Sequence, residues 1–148
     1  MKKAITAGVL MLAAFGAAAQ TETTVSSLAA ASATKTAFAA MVKGHHLPAW
    51  VTRGGTGSPE KKITLAGTSY QVVSACKPHD CASERIAVIY TADGKTMAGL
   101  YSKVDEKNNA EKLSWLNVPD GLSIDGKTVL YAALSGSLEN HPDAFNYQ

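Results

Sequence analysis

Cys76 and Cys81 stand five positions apart in the stretch CKPHDC, and the chain of 148 residues has no other cysteine. Lys77, Pro78, His79 and Asp80 lie between them. Four kinds of chemistry fit these residue types: a metal site, a thiol-exchange site, a structural crosslink, or a rigid loop that presents one side chain. Cys76, His79 and Cys81 supply three candidate metal ligands. Zinc sites, however, pair cysteines separated by about two to four residues and add further His or Cys ligands. His45, His46 and His141 lie far off in sequence. Thiol exchange typically uses the shorter Cys-x-x-Cys spacing. The crosslink and the presenting loop remain the better readings.

The loop is unusual for a mere crosslink. Pro78 fixes its own φ and stiffens the ring. Lys77 and Asp80 flank the apex with opposite charges. His79 at the apex has no core to enter. A short ring of this kind has lost its ordering entropy before it meets a partner, as an inhibitory loop requires. An imidazole carries nitrogens on opposite edges, and in its protonated form it donates to two acceptors at once. Retaining glycosidases hold two carboxyl groups roughly 5 Å apart across their cleft. A histidine wedged between such a pair would bridge both and block the substrate position.

The chain's own repertoire for catalysis is thin. It contains no Gly-x-Ser-x-Gly elbow, no phosphate-cradling glycine loop and no His-Glu-x-x-His. Paired carboxylates across a cleft cannot be read from sequence, so a glycosidase stays unsupported. The expectation is a non-enzyme with no cofactor and no metal.

Compartment decides the state of the cysteines. Lys2 and Lys3 precede the uncharged run Ala4 to Phe15, and Ala17 to Ala19 supply small residues before a cut. This pattern predicts a secretory signal peptide over residues 1–19, cleaved before Gln20, and one domain over residues 20–148. The apolar run is shorter than the roughly 20 residues needed to span a bilayer. The mature chain is therefore expected to be soluble and exported, without a membrane partner. In an oxidising compartment two cysteines pair, so a Cys76–Cys81 disulfide is expected. Without Lys2 and Lys3 the 14 basic residues fall to 12, matching the 12 acidic ones. That balance, with no basic cluster among aromatics, gives no reason to expect nucleic-acid binding.

The elements that must hold the loop follow from periodicity. Residues 20–31 read as a flexible lead-in. Ser32 is a candidate cap for a helix over Ala33 to Lys43, with Phe38, Met41 and Val42 on one face and Gly44 as its stop. Gly54, Gly55, Gly57 and Pro59 mark a loop. Strands are expected around Ile63 to Leu65, over Tyr70 to Ala75, over Arg85 to Thr91 and over Thr96 to Lys103, with Ala66 to Thr68 and Asp93–Gly94 as turns. Asp105 to Lys112 reads as exposed, and Trp50 and Trp115 as core residues. Asp120–Gly121 and Asp125–Gly126 read as turns, the stretch from Lys127 as a helix ending near Gly136, and the last residues as an irregular tail with Phe145 and Tyr147 docked. The fold class is α+β: a central antiparallel sheet of about five strands with flanking helices and a protruding disulfide-closed loop.

CKPHDC on such a domain resembles the inhibitor of vertebrate lysozyme family, Ivy, of Gram-negative bacteria. GHHLPAWV (Gly44 to Val51), SYQVVSACKPHDC (Ser69 to Cys81), RIAVIY (Arg85 to Tyr90), EKLSWLNV (Glu111 to Val118), LSIDGKTVL (Leu122 to Leu130) and LSGSLENHPDAFN (Leu134 to Asn146) are similar to the family in the same order. The resemblance implies a periplasmic protein that binds c-type lysozyme and protects peptidoglycan. It implies that the loop enters the lysozyme cleft, with His79 hydrogen-bonding the two catalytic carboxylates. Lys77, Pro78 and Asp80 carry over as flanking positions, and Cys76 and Cys81 as the staple. Family members form homodimers, which makes a second copy of the chain a candidate partner. The lead-in and the stretch Thr52 to Lys62 depart from the family. Two alternatives stay open beside this reading: control of the bacterium's own lytic transglycosylases by the same loop, and a periplasmic redox or metal-handling role for Cys76, His79 and Cys81.

Overall fold

The computed structural model describes residues 21–148. The signal peptide expected over residues 1–19, with its cleavage before Gln20, lies outside the described residues. Three short helices come first: α1 (Val25–Ala30), α2 (Lys35–Val42) and α3 (Trp50–Arg53). Five strands follow: β1 (Thr56–Leu65), β2 (Thr68–Cys76), β3 (Glu84–Tyr90), β4 (Met97–Asp105) and β5 (Ala110–Leu116). They form one sheet in sequence order, every neighbouring pair antiparallel. A 3-10 turn at Asp120–Leu122, α4 (Asp125–Ser135), α5 (Ser137–Asn140) and a 3-10 turn at Pro142–Phe145 complete the chain. The expected α+β class and the five-stranded antiparallel sheet are therefore observed.

Side-chain alternation along the strands divides the core in two. Ile86 and Val88 of β3, with Val73, Tyr101 and Leu116, face Val25, Leu28, Phe38, Met41 and Val51 of the first three helices. Ala87 and Ile89, with Val72, Ala98 and Leu100, face Val129, Leu130 and Leu134 of α4 and Leu138 of α5. The run RIAVIY is apolar on both faces because β3 is the middle strand with helices on each side. Leu130 is fully buried in the second layer, so truncating it to alanine costs about 2–5 kcal/mol.

Several local expectations are corrected. The lead-in contains α1, a capped helical turn rather than flexible chain. Thr24 Oγ1 accepts from the Ser27 N–H at 3.1 Å, Ser27 Oγ accepts from the Thr24 N–H at 2.9 Å, and Val25 and Leu28 are buried. Helix α2 starts at Lys35 rather than Ala33, and Ser32 is not its cap. Thr34 precedes it, and its hydroxyl donates instead to the Leu28 carbonyl at 2.7 Å. The glycine-rich stretch begins just after α3 ends at Arg53, and it holds the start of β1. Gly57 and Pro59 are tolerated because β1 is an edge strand with irregular register between Ser58 and Lys61. Asp125–Gly126 opens α4 instead of forming a turn. There the helix passes so close to Leu122 that a Cβ on residue 126 would meet the Leu122 Cβ at 2.6 Å. Part of the tail is ordered helix, Ser137–Asn140. Phe145 and Tyr147 pack on the second core as expected, and Tyr147 bridges to Leu65.

Candidate functional site

Strands β2 and β3 are joined through residues 77–83. The ladder extends one step past the strand ends, the Lys77 N–H donating to the Glu84 carbonyl at 3.0 Å. The chain then reverses over Lys77 to Asp80, and the Asp80 N–H closes the turn on the Lys77 carbonyl at 3.0 Å. Pro78 sits second in this turn and His79 third, with φ of 62°. That is the pattern of a type II turn, whose third position demands positive φ and usually takes glycine. The turn thus holds His79 in a left-handed conformation at the exposed apex. Among the described residues the imidazole makes no hydrogen bond or ion pair within the chain.

The ring is closed as expected. Cys76 and Cys81 form a disulfide, with Cα atoms 4.8 Å apart. Lys77 Nζ lies 3.1 Å from Asp80 Oδ2 across the turn and 3.7 Å from Glu84 Oε1 at its base. The Ser83 hydroxyl donates to Asp80 Oδ2, and the Ser83 carbonyl accepts from the Val104 N–H at 2.8 Å, tying the loop to β4. The Ser83 hydrogen bond, followed by Lys77, holds the Asp80 carboxyl below its ordinary range. The Asp80 hydrogen bond raises the Lys77 ammonium against an opposing desolvation. The two flanking charges of the loop thus pair with each other, and the imidazole stands beside them without a partner among the described residues.

Beneath the loop lies a carboxylate that sequence reasoning missed. Glu84 opens β3, and its side chain is only 12% exposed. Its Oε2 accepts from the Trp50 indole N–H at 2.9 Å and the Tyr101 hydroxyl at 2.8 Å. Burial pushes the Glu84 carboxyl up, but these two hydrogen bonds, with the charges of Lys77 and Lys103, outweigh it and hold it low. Burial and the Glu84 bond push the Tyr101 hydroxyl up. Trp50, expected in the core, is half-buried against the first core layer with its N–H spent on Glu84. Trp115 packs on the other layer, under Lys127 Nζ at 5.2 Å. One signal for Glu84 exists in the sequence. It shares strand parity with Ile86 and Val88, so a carboxylate there points inward and needs partners.

The remaining histidines do not converge on the loop. His45 and His46 line a separate cleft with Tyr101, Lys103 and Lys112, and His141 begins the C-terminal turn. Among the described residues no group of three or more His, Cys, Asp or Glu is arranged to hold a metal ion, and neither cysteine is free.

Residues 33–123 match the family described as Inhibitor of vertebrate lysozyme (Ivy). The chain belongs to the Ivy family. The matched segment carries the whole site: Trp50, the loop from Cys76 to Cys81, Glu84 and Tyr101. The Ivy protein of Escherichia coli (strain K12), named Inhibitor of vertebrate lysozyme, is 58% identical over 148 residues, covering all of this chain and 94% of that protein. An uncharacterized protein of Yersinia pestis is 36% identical over 112 residues, 70% of this chain and 68% of its own length. A Pseudomonas aeruginosa protein, also named Inhibitor of vertebrate lysozyme, is 37% identical over 68 residues, 45% of this chain and 44% of that protein. The Escherichia coli and Pseudomonas aeruginosa relatives are both named as inhibitors.

Proposed function

We propose that this protein is an inhibitor of c-type lysozyme that works by inserting His79 into the enzyme's active-site cleft, shielding peptidoglycan from hydrolysis. The observation that carries this reading is the exposed imidazole at the apex of a disulfide-closed, proline-stiffened turn. Family membership and the names of its relatives support the target. His79 has both ring nitrogens available, and two carboxylates roughly 5 Å apart offer matching acceptors. Lys77, Pro78 and Asp80 shape the turn, and Cys76 and Cys81 close it. Because the turn is ordered before contact, little entropy remains to be lost on binding. Residues 1–19 direct the chain to the periplasm in this reading, where the disulfide forms.

The test is a titration of c-type lysozyme with residues 20–148, following lysis of a peptidoglycan suspension. One equivalent is expected to suppress lysis, and His79→Ala to lose most of that effect. Undiminished lysis at a stoichiometric excess would overturn the reading.

A further inference from the structure

The two oxygens of the Glu84 carboxylate face different parts of the molecule. Oε2 takes the Trp50 and Tyr101 donors, which belong to α3 and β4. Oε1 faces the Lys77 ammonium, which in turn holds Asp80 beside His79. A carboxylate on the inward face of a strand is costly to bury unless it is paired. Here the pairing runs from the frame to the loop in an unbroken line of polar contacts. The backbone is shaped to allow it. Gly55 lies between the Trp50 ring and the end of β2, where a Cβ would stand 2.9 Å from the ring and 2.7 Å from the Cys76 carbonyl oxygen. The absence of a side chain at that point lets the indole reach under the loop to Glu84. The disulfide joins two residues of the ring to each other. It makes no link to α3 or to β4.

We infer that Glu84, held by Trp50 and Tyr101, is a positioning residue that sets the orientation of the His79 loop on the sheet through Lys77. This rests on the inhibitor reading above and adds a residue outside the loop to it. The disulfide fixes the shape of the ring, and Glu84 fixes where the ring points. Glu84→Gln keeps an oxygen for the frame donors but removes the second negative charge that faces Lys77.

The experiment is a double-mutant cycle of Lys77→Met and Glu84→Gln, read as the lysozyme inhibition constant. The cycle cancels whatever Lys77 contributes by touching the enzyme directly. Glu84→Gln alone is expected to weaken inhibition about fivefold, the upper end for a partly exposed ion pair. In the Lys77→Met background it should cost little further. Amide exchange of Asp80, whose N–H closes the turn, should quicken in Glu84→Gln and in Trp50→Phe. Lys77 is on the surface, so Lys77→Met tests the same link in a variant whose core is untouched. Additive effects on inhibition with unchanged Asp80 exchange would overturn the inference, while loss of inhibition in His79→Ala would leave the functional reading standing. If the wild-type protein fails to inhibit, that reading falls, and Asp80 exchange alone still decides whether Glu84 orders the loop.

Discussion

Two turns project from the same end of the sheet, one between β2 and β3 and one between β4 and β5. Each places a residue other than glycine at positive φ: His79 at 62° and Asn109 at 54°. Asparagine and histidine are both among the side chains that tolerate this region, and asparagine does so with help from local hydrogen bonds. The β4–β5 turn is satisfied from within. The Asn109 N–H donates to the Asp105 carbonyl at 2.8 Å, the Lys107 N–H to Asp105 Oδ1 at 2.9 Å, and the Ala110 N–H to Asn108 Oδ1 at 2.9 Å. The His79 turn is instead restrained from outside as well. It has a disulfide, an ion pair across its mouth, a second charged contact to Glu84, and a backbone bond to β4. A turn that only reverses the chain needs its own side chains. The turn that carries the exposed imidazole draws on the rest of the molecule.

The strongest way to break this contrast is to remove the imidazole. His79→Ala is expected to weaken lysozyme inhibition by about 2 kcal/mol or more, as for a central polar contact in an interface, roughly 30-fold. His79→Gly must lose as much, because glycine accepts the positive φ and leaves the turn intact. Calorimetric titration of both variants checks this, and near-wild-type affinity in either would show that the side chain is not the contact. Next in size is the joint change Cys76→Ser and Cys81→Ser. Opening so small a ring costs about 2 kcal/mol of stability in the chain-entropy picture. Urea unfolding should show that loss, while inhibition at saturating protein falls less than in His79→Ala.

Acid should separate the two turns more gently. Asp80 and Glu84 both have carboxyls held below their ordinary values. A lowered folded pKa means that their contribution is complete above the unfolded value, about 4, and is lost as pH falls through the folded value. Thermal melting from pH 7 down to pH 3 should therefore fall more steeply for wild type than for Asp80→Asn, which never had the increment. Parallel curves would show that the Lys77–Asp80–Ser83 contacts add nothing to the native state. The smallest expected effect is Asn109→Ala, about 1 kcal/mol of stability from the left-handed backbone, with the inhibition constant unchanged. A change in inhibition there would mean that the two turns share the partner surface.

The sheet was legible because its signals are local. Alternation, the double-sided RIAVIY run and the Asp93–Gly94 turn each mark a strand or its end without reference to the rest of the chain. The loop was legible for the same reason, since six adjacent residues carry the cysteines, the proline and the histidine. Helix α1 was hidden because only Val25 and Leu28 among its small residues are buried, and the first half of β1, before the expected Ile63 to Leu65, because an edge tolerates Gly57 and Pro59. The Glu84 site was hidden for a different reason. Trp50 reaches it across 34 positions and Tyr101 across 17, from a helix and a strand whose meeting depends on the finished fold. Sequence spacing carries no trace of such a meeting.

The indole of Trp50 also gives the molecule an optical handle. Its N–H rests on a charged group directly below the loop, whereas Trp115 lies on the opposite face of the sheet beneath Lys127. The emission of an indole depends on the field around its ring, so a shift of Lys77 relative to Glu84 is expected to change the colour of Trp50. With Trp115→Phe in place, one native fluorophore reports the state of the loop in solution, without a label and without the enzyme's own turnover.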